Sequence, residues 1–200
     1  MIRDAYQQAA RLFVETVATV QAEQWQQIAL GVWTVRDLVG HTNRALLTVE
    51  TYLNHPASTV DLTQPAAYFL QAKATLADPA AVAARGREAG QALGPDAATV
   101  VRETAKRVLE RVETTADDTI LTTPVGGMRL IDYLPSRVFE LTVHTLDLAV
   151  ALKTEMTIPH TAAAITLHLM ADLALQPGKA APLMLAATGR RPLSPGFTLL

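Results

Sequence analysis

The 200-residue chain is long enough to close one sizeable hydrophobic core, and half of its residues are apolar against 18% charged, which excludes a disordered chain. A net charge of -2 and a pI near 6.2 lack the basic footprint of a nucleic-acid or anionic-membrane binder, leaving a small molecule or another protein as the expected partner. The chain has no cysteine, which removes disulfides, thiolate nucleophiles and cysteine-type zinc sites, so any thiol chemistry must import its thiol.

The opening segment carries charges and glutamines where a signal peptide needs an unbroken apolar run, and no segment approaches the roughly 20 apolar residues of a membrane span. The expected location is the cytoplasm. Tyr6, Ala9, Phe13, Val17 and Val20 recur at helical spacing and predict an amphipathic helix over about the first 20 residues. A second helix starts after Trp33, where Thr34 and Asp37 form a capping box. Leu38, Ala45, Val49 and Tyr52 continue its buried face until Asn54-His55-Pro56 ends it. Residues 57–65 read as a loop. Two alanine-rich helices follow, 66–76 and 80–93, the latter opened by Asp78-Pro79 and closed by Gly94-Pro95.

Ala98, Val101, Ala105, Val108 and Val112 mark a long helix to about Ala116. The most strongly patterned segment is 130–153, with Leu134, Val138, Leu141, Thr145, Leu148 and Leu152 on one stripe and Pro135 as a point of bending. A further helix is expected from Pro159 to about Leu175, closed by Gln176-Pro177-Gly178. The apolar runs at 183–185 and 197–199 read as a short strand pair or as packed coil. With no internal repeat or low-complexity linker, the expectation is one all-α domain over 1–200: a four-helix bundle with extra short helices to 175, then a tail, 176–200.

On the helix at 130–153, Glu140 and His144 stand at i and i+4, so one turn stacks a carboxylate and an imidazole on the same face. His41 lies three residues after Leu38 and four before Ala45, on or beside the buried stripe of its own helix, from where it reaches across the bundle as a third ligand. Two histidines and a carboxylate leave coordination positions open, as catalytic rather than structural sites do. The plainer alternative is that each is an ordinary hydrogen-bonded side chain. Arg137 and Asp147 flank the pair at three residues' distance, either orienting the carboxylate and fixing the imidazole tautomer or forming ordinary surface ion pairs. Trp33 reads as packing at the helix start, with the pocket mouth as the other option. His168 and Asp172 share the same spacing with only His160 nearby as a third donor, and read as surface or structural, while His55 reads as a loop residue.

The segments Gly31-Val32-Trp33-Thr34-Val35-Arg36-Asp37-Leu38-Val39-Gly40-His41 and Arg137-Val138-Phe139-Glu140-Leu141-Thr142-Val143-His144-Thr145-Leu146-Asp147 resemble the metal-binding domain of mycothiol-dependent maleylpyruvate isomerases. The ending from Ala186 to Gly196 also looks like the tail of shorter members of that group. The resemblance spans most of the chain. It implies a DinB/YfiT-like four-helix bundle, His41, Glu140 and His144 as ligands of a divalent ion, zinc first and nickel as the alternative, and mycothiol or a similar thiol as co-substrate. Where the family commonly has Pro-Gly-Trp, this chain has Gly31-Val32-Trp33, implying a different lead-in loop. The isomerases carry a further C-terminal domain, whereas about 25 residues follow the last predicted helix, so the expectation stops short of isomerisation itself. The expected function is a thiol-dependent metalloenzyme of S-transferase or isomerase type, in which the metal activates the thiol, or failing that a water, toward a small electrophile. A metal- or ligand-binding bundle without turnover and a helical dimerisation domain stay open as rivals, and a homodimer is the expected assembly if the chain self-associates.

Overall fold

The computed structural model describes residues 1–76 and 78–200. Eight α-helices and two short antiparallel hairpins are present among them, in the order α1 (Ile2–Ala18), β1 (Ile28–Leu30), β2 (Trp33–Thr34), α2 (Val35–Leu53), α3 (Pro65–Leu76), α4 (Pro79–Ala92), α5 (Ala97–Thr114), β3 (Ile120–Thr123), β4 (Gly126–Arg129), α6 (Leu130–Leu152), α7 (His160–Ala174) and α8 (Ala180–Ala187). The fold is all-α, as the periodicity predicts. No helix among the described residues is long and apolar enough to cross a membrane.

The four long helices α1, α2, α5 and α6 form the bundle. Each of α1 and α2 packs on both α5 and α6, which puts α1 and α2 at opposite corners. The stripes predicted on them form much of the core: Tyr6, Phe13, Leu38, Val49, Leu134, Leu141 and Leu148 are fully buried. Arg3 locks the start of α1 to the end of α5, bonding the carbonyls of Val112 and Thr115 and the carboxylate of Asp117, so one cation satisfies carbonyls that the helix terminus leaves open.

Two features fix where α2 begins. Thr34 and Asp37 make the predicted reciprocal cap, with Thr34 Oγ1 accepting from Asp37 N at 3.2 Å and Thr34 N donating to the Asp37 carboxylate at 3.0 Å. The lead-in is a hairpin that turns at Gly31, whose φ of +56° favours glycine. On the other side, α4 lies so close to α2 that a Cβ on Gly40 would stand 2.2 Å from Gly90 N, and one on Gly86 would stand 2.4 Å from the Trp33 ring.

In the region 180–199 the packed-coil alternative holds at 197–199, while the run at 183–185 is neither strand nor coil. Residues 183–185 lie inside α8 and 197–199 form no strand, because an alanine-rich run favours helix and no strand among the described residues offers them a ladder. The tail docks through Leu199, which enters the core, and through hydrogen bonds from Gln176 Nε2 to Leu199 O and Lys179 Nζ to Thr198 O. The strand pairs lie instead at 28–34 and 120–129. The second hairpin is held against residues 55–62, where Asp61 N and Leu62 N both donate to Gly127 O and Asp61 accepts from Gly127 N. Pro135 sits within α6, which continues to Leu152; so near the helix start, its missing N–H removes one bond from the ladder.

Candidate metal centre

Helices α2 and α6 run antiparallel at their contact. His41 faces Glu140 and His144, while further along α2 the Thr48 hydroxyl meets the Tyr133 hydroxyl at 3.2 Å and the Tyr52 and Tyr133 rings lie 5.7 Å apart. The helical spacing of Glu140 and His144 puts both donors on the side of α6 that looks at His41. His144 Nε2 is 3.2 Å from Glu140 Oε2, and His41 Nε2 is 4.0 Å from the same oxygen. One donor atom from each of the three lies within 4.8 Å of the other two. Each side chain is about one-fifth exposed, so the cluster opens to solvent at one side.

The two imidazoles are held by different means. His144 Nδ1 hydrogen-bonds Asp147 Oδ2 at 3.0 Å, which turns Nε2 toward the cluster and fixes the tautomer. His41 makes no hydrogen bond among the described residues, and its Nδ1 is buried without a partner. Packing sets its ring instead: Trp33 lies 4.5 Å away centroid to centroid, tilted by 34°, and the His144 ring meets it edge-on at 4.9 Å. The Trp33 indole is itself anchored by Nε1 donating to Ala83 O at 3.1 Å.

Electrostatics sort the three donors. Burial, reinforced by the nearby His144 charge, lowers the His41 pKa to about 4. For Glu140, burial pushes upward, but the contact with His144 and the charges of His144, Arg137 and His41 prevail and hold the carboxyl at about 2. Burial works against the charged form of His144 too, yet Asp147 and Glu140 outweigh it and raise the imidazole to about 9. Near neutral pH the cluster thus offers a neutral imidazole, a carboxylate and an imidazolium that an incoming cation must deprotonate.

The donor set fits a divalent ion. Ligands about 2.0–2.1 Å from a tetrahedral zinc are about 3.4 Å apart, so contacts of 3.2 and 4.0 Å need only small rotamer adjustments to share one ion. His41 Nε2 at 4.0 Å is too far from Glu140 for a hydrogen bond, so the pair is not explained as a satisfied polar contact.

The flanking residues divide. Asp147 reaches His144, as its spacing predicts. Arg137 does not pair with the Glu140 carboxylate: its Nε donates to Ser136 Oγ at 3.0 Å and its guanidinium lies 4.8 Å from the Tyr133 ring centre and 5.4 Å from that of Tyr68. Those aromatic faces, one of them brought in by α3, draw the side chain away from its i+3 neighbour. Tyr68 and Tyr133 escaped the sequence reading, which placed Tyr52 on the buried face of its helix but not beside the site. Tyr52 and Tyr133 lie on the same helices as the donors, and that was the only signal. His55, His160, His168 and Asp172 are exposed, with His55 Nδ1 and His168 Nδ1 contacting the carbonyls of Thr51 and Ala164, and none joins the cluster.

The family described as mycothiol maleylpyruvate isomerase N-terminal domain matches residues 6–149, a stretch that contains His41, Glu140 and His144. No curated protein and no solved structure matches the chain.

Proposed function

The chain belongs to the mycothiol maleylpyruvate isomerase N-terminal domain family, and from that premise we propose that it is a thiol-dependent metalloenzyme whose His41, Glu140 and His144 hold one divalent ion, zinc first and nickel second. The observation that carries this reading is the convergence of three donors from two helices within 4.8 Å, partly open to solvent. The chain's lack of cysteine accords with a thiol that arrives as a small molecule.

A divalent ion held there supplies Lewis acidity that lowers the pKa of a thiol, making thiolate available near neutral pH. The chain's own groups do the rest. Glu140 contributes the negative charge that retains a cation, Asp147 keeps His144 Nδ1 protonated so that Nε2 carries the lone pair, and Trp33 holds His41 in place while covering one side of its ring. The sulfur of mycothiol, or of a thiol like it, having lost its proton to solvent, then adds to an activated double bond of a small electrophile, and the displaced π pair takes up a proton from solvent. Retention of that bond gives an S-transferase, and its later cleavage gives an isomerase. Small thiols are kept reduced in the cytoplasm, where this reading places the protein. Residues 1–200 are taken as one such domain.

Elemental analysis of protein prepared without an affinity tag tests the reading: about one zinc or nickel per chain is expected, and His144→Ala should lose it. Metal-loaded protein should consume mycothiol, bacillithiol or glutathione in the presence of small electrophiles. Full metal content in His144→Ala would overturn the ligand assignment, and metal-loaded protein inert with every thiol would leave a binding module.

A further inference from the structure

Below the three donors the facing sides of α2 and α6 carry two arginines that the chemistry above does not use. Arg137 lies one turn before Glu140, and Arg44 one turn after His41. Because the two helices run antiparallel, both arginines fall at the same level, between the metal ligands and the rings of Tyr52 and Tyr133. His41 and Tyr52 each feel both positive charges. Arg137 is only 7% exposed, Arg44 is half-buried, and neither forms an ion pair among the described residues.

A guanidinium stays charged at any working pH and presents five N–H donors in a planar fork. Arg137 uses Nε on Ser136 and stacks on two tyrosine faces, which accommodates the cation without neutralising it. A purely space-filling role at this position needs no charge, and the carboxylate whose charge Arg137 feels, Glu140, makes no ion pair with it and faces the two histidines instead, so the cation is only partly compensated. With a divalent ion in place, the ion and the two guanidiniums outweigh the carboxylates of Glu140 and Asp147, leaving the site net positive.

We infer that Arg137 and Arg44 form an anion-binding subsite beside the His41, Glu140 and His144 cluster, one that takes a carboxylate or similar compact anion carried by the small electrophile. Arg137 provides the planar fork and Arg44 closes the subsite from the opposite helix. An anion gripped there sits at the level next to the metal ligands, so the electrophilic carbon a few bonds away is presented to the sulfur in one orientation. The identification of the anion's bearer as the electrophile rests on the proposed function; the anion subsite itself does not.

Metal-free protein labelled with ¹⁵N at arginine tests the subsite directly. Titration with succinate should shift the Nε–Hε resonances of Arg137 and Arg44 along a saturable curve, while the uncharged isostere succinamide should leave them in place. Arg44→Gln should weaken succinate binding by about tenfold, the loss expected for one charge-assisted contact. Because Arg137→Gln removes a cation stacked in the interior and risks the fold, Arg137→Lys is the companion variant; it keeps the charge, loses the fork and should weaken succinate while leaving the circular dichroism spectrum unchanged. Equal responses to succinate and succinamide, no saturable shift, or undiminished binding by Arg44→Gln would overturn the inference. If zinc is taken up at one per chain but succinate is not bound, this inference fails and the metalloenzyme reading stands; succinate binding without zinc uptake gives the converse.

Discussion

Metal binding to this cluster should be a proton-exchange reaction whose pH dependence belongs to a single residue. In the metal-free protein His144 is held protonated to about pH 9 by Asp147 and Glu140, while Glu140, at about 2, and His41, at about 4, are already in their metal-binding forms at neutral pH. At pH 7, two units below the His144 value, about one molecule in a hundred carries that ring neutral, an affinity penalty of about 3 kcal/mol against the deprotonated site. The apparent zinc affinity should therefore rise about tenfold per pH unit between about pH 6.5 and 8.5, with about one proton released per ion bound. Competition against a chromophoric chelator measures the first quantity. Calorimetry in buffers of differing ionisation enthalpy measures the second. An affinity that changes by less than about twofold over that range, with no proton released, would refute the electrostatic account of the cluster.

Replacing Asp147 by Asn removes the carboxylate from His144 Nδ1, so the rise in zinc affinity with pH should move to lower pH and the affinity at about pH 8.5 should fall roughly 10–100-fold, read in the same competition assay. In metal-free protein the raised His144 pKa adds stability that is fully present below its ordinary value of 6.5 and is lost as pH rises through about 9, whereas the lowered Glu140 pKa adds stability lost only as pH falls through about 2. Urea unfolding should accordingly lose about 3 kcal/mol between about pH 6.5 and 10, and a flat profile there would count against the His144 contacts. Gly40→Ala drives a methyl to 2.2 Å from Gly90 N and should cost about 3 kcal/mol as α4 separates from α2; an unchanged urea midpoint would contradict the close approach. Glu50→Gln, at a surface pair whose Arg107 side is open to solvent, should cost less than about 1 kcal/mol in the same assay despite its 2.7 Å contact.

What could be read from the chain beforehand follows from which interactions are local. Helical periods depend on residues three and four apart, so the stripes of α1, α2, α5 and α6 and the Thr34–Asp37 cap were legible. The stacking of Glu140 over His144 was legible for the same reason. Its meeting with His41 came from combining a buried stripe with a family motif rather than from spacing alone. The hairpins were missed because two to four residues carry too little alternation to register, and what holds β4 is a distant partner, the 55–62 segment closing on Gly127. Arg137 shows the limit most clearly: its spacing favours Glu140, but it is drawn instead to Tyr133, one turn back on the same helix, and to Tyr68, which only the packing of α3 on α6 brings within reach.

The two histidines answer to unlike restraints, and that difference separates protonation from geometry in the cluster. His144 is governed by a carboxylate on its far nitrogen, so a change there alters the pH at which the ring can bind a cation. His41 has no hydrogen bond among the described residues to direct it and relies on Trp33, which α4 grips through Ala83 O and the bare face of Gly86, and on the neighbouring Gly40–Gly90 approach. Loosening α4 should therefore lower metal affinity by a similar factor at every pH, while loss of Asp147 should reshape the pH dependence itself. A Gly40→Ala protein whose zinc affinity falls in parallel across the pH range, beside an Asp147→Asn protein whose curve shifts along it, would show packing positioning one ligand and charge preparing the other. Matching displacements in the two variants would mean that a single restraint governs both rings.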